Sequence, residues 1–141
     1  MTKIKEASKF NYEMIIKENH LDSFGHVNNA VYIQIFEEAR WEFITINGYG
    51  LNEIHKLKKG PIVLEANLKF IKEIKLREKI NIETMCTDAK SKILNLTQKI
   101  INSKNEICTE ANFVLAFFDL ETRKILNPTP EWLHAVGIKF E

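Results

Sequence analysis

The sequence predicts an α+β domain in which an antiparallel sheet of about five strands curls around one long central helix. Three observations carry this. Tyr32, Ile35, Phe36, Ala39, Phe43 and Ile46 recur at helical spacing. Val31, Ile33, Trp41 and Ile44 widen that stripe, so the helix should be enclosed on most sides. Beyond it the apolar period changes to two, in successive segments split by short polar turns, which is the pattern of antiparallel strands.

Each element can be placed in order. "FNYEMIIKEN" alternates as a first strand, with Tyr12, Met14 and Ile16 on one face. A polar loop, "LDSFGHVNN", leads into the helix. Asn28 or Asn29 can cap it, because an amide oxygen accepts from the free N–H groups of the first turn. Asn47-Gly48 can end it, since both residues tolerate the left-handed conformation. "LNEIHKL" forms a short helical turn. "PIVLEANLKFI" then alternates, with Leu64, Ala66, Leu68 and Phe70 opposite Val63, Glu65, Asn67 and Lys69. "EKINIETMCT" puts Ile80, Ile82 and Thr84 on one side, and "KILNLTQKII" and "EICTEANFVLAFFDL" follow. Turn signals stand around Asp88 and Asn105. "NPTPEWLHAVG" closes with a helical turn opened by Thr129 or Pro130. Trp41 and Trp132 read as packing anchors. One helix covers one face of the sheet, so the outer face and the edges require a second copy.

Composition bounds the rest. The 141 residues suffice for one domain, 1–141, with a real core. Hydrophobic residues make up 45% and charged ones 28%, a globular balance. A net charge of +1 provides no global field for nucleic acid or an anionic membrane. Cys86 and Cys108 sit inside apolar runs, as buried free thiols do in a reducing compartment. The N-terminus has no apolar signal core, so a cytoplasmic location is expected. His20, His55 and His134 show no metal-ligand spacing, and Ser91 has no triad context.

The loop before the helix carries the chemistry. Asp22-x-x-Gly25-His26-Val27-Asn28-Asn29-x-x-Tyr32, then "FEEAR" at 36–40, resembles the signature of hotdog-fold acyl-CoA thioesterases of the 4-hydroxybenzoyl-CoA thioesterase type, and more loosely that of acyl-carrier-protein thioesterases. The likeness spans nearly the whole chain, with its specific part in residues 22–40. It implies that Asp22 matches the catalytic carboxylate and that the backbone amide of Asn29 polarises the substrate. His26, Asn28 and Tyr32 match characteristic motif positions. It also implies a substrate that is an acyl thioester of CoA or carrier protein, no cofactor beyond the CoA of the substrate, no metal, and a homodimer or homotetramer with its active site at the subunit interface. The chain departs from the family after "ANLKF", where "IKEIKLREK" replaces a proline and a Gly-Asp turn. Phe24 stands where the carrier-protein enzymes tend to have asparagine, which tilts the resemblance toward CoA.

The residues fit thioester hydrolysis on physical grounds. A helix start offers N–H groups without intrahelical partners, and its dipole is positive there. Asp22 can act as general base on water or attack the carbonyl itself. Equally, it can shape the loop as an Asx-turn. His26 can orient Asp22 or the ligand, or bond to loop backbone. Gly25 allows a tight turn or close substrate approach. Tyr32 packs with its hydroxyl paired. Glu65 is either a second carboxylate at an interface site or an exposed strand residue. Lys69, Lys72, Lys75 and Arg77 are candidates for the CoA phosphates. Two other classes compete: a non-catalytic acyl-thioester binder or sensor, and a hydratase or dehydratase, which needs a His/Asp pair in a motif absent from this sequence.

Overall fold

The structure, a computed structural model, describes residues 4–90 and 92–140. Two short strands flank the chain ends: β1 (Ile4–Ala7) pairs antiparallel with β8 (Ile138–Phe140). The main sheet holds five long strands, β2 (Phe10–Ile15), β3 (Lys59–Phe70), β4 (Lys79–Lys90), β5 (Ile93–Ile101) and β6 (Ile107–Asp119). They lie in the order β2-β4-β5-β6-β3, every pair antiparallel, and the two-residue β7 (Ile125–Leu126) pairs with β6. Between β2 and β3 come the long helix α1 (Asn29–Ile46) and the short α2 (Leu51–Leu57); α3 (Pro130–Ala135) precedes β8.

Period two builds the sheet as expected. Along β5, Leu94, Leu96, Gln98 and Ile100 are buried while their neighbours are half-buried. Across α1, Tyr32, Ile35, Phe36, Ala39, Phe43 and Ile44 are buried. Phe36 meets Phe113 of β6 edge-on at 5.8 Å. At the far end of the helix, Trp132 of α3 stacks on Phe117 at 5.6 Å. Thr129 caps α3 by accepting from the Trp132 amide. Asn47 ends α1, and Gly48 follows at φ +89°, where a side chain would be strained.

Several expectations need correction. The helix is buried on one face, not most of its surface. Ile46 is 67% exposed and Trp41 36% exposed, so Trp41 is no core anchor. A stripe wider than the sheet it covers must leave one flank open. A bulge in β3 between Val63 and Glu65 breaks the expected alternation and leaves Val63 and Leu64 48% and 43% exposed. Strand β4 runs past Asp88 to Lys90, because a bulge at that point absorbs the turn signal. The β1–β8 ladder has no counterpart in the sequence reading. Among the described residues, β3 pairs with β6 on one side and with nothing on the other, so a twelve-residue strand forms an open sheet edge.

Candidate active site

The loop from Leu21 to Asn28 closes on itself. Leu21 bridges Val27, and the Asp22 amide donates to the His26 carbonyl at 2.8 Å. Gly25, at φ +79° with open space where a Cβ would stand, makes the tight return possible. Asp22 Oδ1 then accepts from the amides of Phe24 at 2.9 Å and His26 at 3.2 Å. That is the Asx-turn geometry considered from sequence. Oδ2 has no hydrogen-bond partner among the described residues. One carboxylate oxygen therefore holds the loop and the other is left over.

The loop delivers the chain into α1. Asn28 is the N-cap: its side chain accepts from the Ala30 amide at 2.9 Å, and its own amide donates to the His20 carbonyl at 3.2 Å. Asn29 is the first helical residue. Its amide finds no acceptor among the described residues, because the cap oxygen is taken by Ala30 and the loop carbonyls by Asp22 and Gly25. The helix thus begins with an unpaired donor at the positive end of its dipole.

That donor stands at a groove of about 330 Å³ whose wall includes His26, Asn29, Tyr32, Phe70, Lys72 and Glu73. Tyr32 meets Phe70 edge-on at 4.9 Å, which ties the helix start to the end of β3. Burial raises the Tyr32 phenol above its usual value, so it stays protonated. His26 Nε2 lies 3.4 Å from Glu73 Oε1. Asp22 is not part of the groove's wall but is tied to one of its residues, accepting from the His26 amide.

The other sequence candidates are more dispersed. Glu65 and Lys69 are exposed on β3, paired in register with Val114 and Glu110. Arg77 forms a two-pronged ion pair with Glu18. Lys72 is held by Glu106, which raises the ammonium pKa and lowers that of the carboxylate. Ser91 lies outside the described residues. Phe70, placed from sequence only in a strand, and Glu73 were not among the sequence candidates; the fold brings this stretch back onto the helix start. Cys86 and Cys108 are free and buried, and burial pushes the Cys86 thiol up to about 11.

An antiparallel sheet curled around one long central helix is the hotdog fold of thioesterases. The chain belongs to the thioesterase-like superfamily, whose family model matches residues 17–136. It is 26% identical to the long-chain acyl-CoA thioesterase FadM of Escherichia coli, over 79% of this chain and 84% of that one. It is 24% identical to the chloroplastic acyl-acyl carrier protein thioesterase ATL3 of Arabidopsis thaliana, over 89% of this chain and 67% of that one. In fold it matches the DHNA-CoA thioesterase from Staphylococcus aureus with a TM-score of 0.81 at 22% identity, covering 90% of this chain and 87% of that one.

Proposed function

We propose that the chain hydrolyses acyl-CoA thioesters to free acid and CoA at the Asn29 groove. The observation that carries this is the unpaired amide of Asn29, a residue that lines the groove at the start of α1. A thioester carbonyl oxygen accepting from that N–H gains its stabilisation as negative charge develops, where it matters to rate. Asp22 Oδ2 takes a proton from the attacking water, or attacks the carbonyl to form an anhydride. Gly25 keeps the loop tight, Asn28 fixes the helix start, and His26 with Glu73 lines the entry. Tyr32 forms the apolar floor. No cofactor is needed beyond the CoA of the substrate.

The likeness to ATL3 favours one variant of this reading, in which the acyl group arrives on a carrier protein. The two relatives differ in the thioester their names give, so both carriers belong in the test. The active unit in this proposal is a homodimer joined along β3, which closes the open edge and covers Trp41, Val63 and Leu64; a tetramer would stack two such dimers. The buried free thiols suit a reducing cytoplasm, and no described helix is long and apolar enough to cross a membrane.

Free-thiol release from a panel of acyl-CoA and acyl-carrier-protein substrates tests the reading, with wild type and Asp22→Asn side by side. Asparagine keeps Oδ1 for the two loop amides and removes the base, so the loop survives and kcat falls about 10²–10⁴-fold. Absence of release by wild type sinks the activity; equal rates sink the role of Asp22. Stabilisation by acyl-CoA with no turnover would point to the non-catalytic binder.

A further inference from the structure

A second pocket lies along the other half of α1, between the helix and the sheet. It has a volume of about 100 Å³ and is lined by Arg40, Trp41, Val63, Leu96, Leu115 and Trp132 among others. Apart from Arg40 and Glu37 its wall is apolar. Arg40 is partly buried there, with its guanidinium 4.2 Å above the Phe113 ring. Burial lowers its pKa to about 10, which still leaves it charged at neutral pH.

The cation has no carboxylate within ion-pair distance among the described residues. Its one hydrogen bond runs from Nη1 to Gln98 Oε1 at 3.0 Å. Gln98 is itself fully buried, and its amide donates to the Phe36 carbonyl at 3.0 Å and the Thr84 hydroxyl at 2.9 Å. Gln98 thus occupies an inward position of β5 where period two demands an apolar residue, and from there it holds the guanidinium that α1 presents. Glu37, on the same pocket wall, favours the charged guanidinium from a distance but forms no ion pair with it. Beside it, the indole N–H of buried Trp132 also lacks an acceptor. Four guanidinium N–H groups and the Trp132 indole N–H are therefore left without a hydrogen-bond acceptor among the described residues, although Glu37 also lines the pocket. At about 100 Å³ the pocket has room for a carboxylate and an adjoining methylene.

We propose that this pocket is a carboxylate subsite, with Arg40 as its recognition residue. The carboxylate is either the far end of an ω-carboxyacyl substrate or that of a free carboxylic acid. The substrate version rests on the thioesterase reading and makes Arg40 a specificity determinant. Arg40 lies eleven residues beyond Asn29, about 16 Å along the helix. In a two-fold pairing centred on β3, the Lys59 end of one copy lies beside the Phe70 end of the other, with Pro61 of the pocket wall two residues away. The pocket of one copy then neighbours the Asn29 groove of its partner.

Two measurements test the subsite independently. Trp41 and Trp132 line the pocket, so wild-type tryptophan fluorescence is titrated with succinate, adipate, suberate and sebacate, and with hexanoate and octanoate as single-headed controls. A saturable change with at least one diacid, weakened at least tenfold in Arg40→Met, is expected. In parallel, kcat/KM is compared for ω-carboxyacyl-CoAs and uncharged acyl-CoAs of equal length. A preference of at least tenfold for one charged series member, lost in Arg40→Met and partly kept in Arg40→Lys, assigns the carboxylate to the substrate. Diacid binding without kinetic preference assigns it to a free acid. Diacid binding with no thioester hydrolysed at all keeps the subsite and removes the thioesterase reading. Hydrolysis with no charge preference and no saturable diacid signal overturns the subsite and leaves the thioesterase reading intact. Both wild-type measurements decide the matter even if Arg40→Met fails to fold.

Discussion

The Asn29 amide can be deleted almost without touching anything else, by substituting proline. Asn29 is the first residue of α1, the helical position where proline is best tolerated. Asn28 sits at φ −65° and ψ 143°, the extended region that a following proline requires. The lost N–H makes no hydrogen bond in the fold, so its removal forfeits none. The exposed Asn29 side chain adds no bond either. Restricting the unfolded chain contributes about 0.4–1 kcal/mol in favour of the variant, so Tm should hold or rise by about 1–4 °C. Catalysis should respond very differently. One oxyanion donor is worth about 10²–10³ in kcat, or about 2.7–4 kcal/mol, and the proline Cδ occupies the place of the missing hydrogen. Asn29→Ala keeps the N–H and separates backbone from side chain. The assay is thiol release at saturating acyl-CoA alongside thermal unfolding of each variant. A folded Asn29→Pro enzyme with kcat within threefold of Asn29→Ala would refute the assignment of this amide.

Other consequences can be measured on stability and assembly. Val63→Lys puts a charge on the open β3 edge and should shift sedimentation toward the monomer; an unchanged oligomer would show that β3 is not the seam. Gln98→Met strips the Arg40 guanidinium of its acceptor and should lower urea stability by about 3 kcal/mol. Adding Arg40→Met should recover at least about 1 kcal/mol of that, whereas strict additivity within about 0.5 kcal/mol would deny the coupling. The Cys86 thiol is raised from 9.0 to about 11 by burial, so the folded state holds its proton more tightly than the unfolded one. Its stabilising effect is complete below pH 9.0 and is lost as the pH rises through about 11, by at most about 3 kcal/mol. Urea midpoints at increasing alkaline pH should fall, and less steeply in Cys86→Val; equal slopes would remove Cys86 as a cause.

Periodicity made most of the architecture legible, because both periods in this chain are long. Tyr32 to Phe43, and Ile80, Ile82 and Thr84 of β4, needed no tertiary information to be placed on shared faces, and those faces are buried. Trp41 and Ile46 were misplaced for a definite reason: the stripe is wider than the sheet beneath it, and spacing alone cannot say which flank stays open. The β1 and β8 strands are too short to show any alternation. At the site, everything carried by contiguous residues was readable, including the cap at Asn28 and the return at Gly25. What pairs distant segments was not. Phe70 and Glu73 reach the groove only after β3 crosses the helix start. Arg40 and Gln98 stand 58 positions apart. A trace of them was present, since Gln98 interrupts the apolar alternation of β5 and Arg40 follows Phe36 by one helical turn.

Two readings of Asp22 looked exclusive in the sequence, a turn-forming residue or a reacting carboxylate. The loop geometry removes the conflict, since the turn engages Oδ1 alone. Two amide donors on one oxygen also fix the plane of the carboxylate, which preorganises the second oxygen without spending it. The same geometry separates Asp22→Asn from Asp22→Ala. Asparagine retains an acceptor for the Phe24 and His26 amides, so only chemistry should suffer. Alanine releases both amides and loosens the segment that leads to Asn28, so stability should fall by about 1–3 kcal/mol as well. If the two variants lose activity equally and only alanine loses stability, shape and chemistry reside on different oxygens of one side chain. If both lose stability alike, the free oxygen has a structural partner and the proposed role of Asp22 collapses.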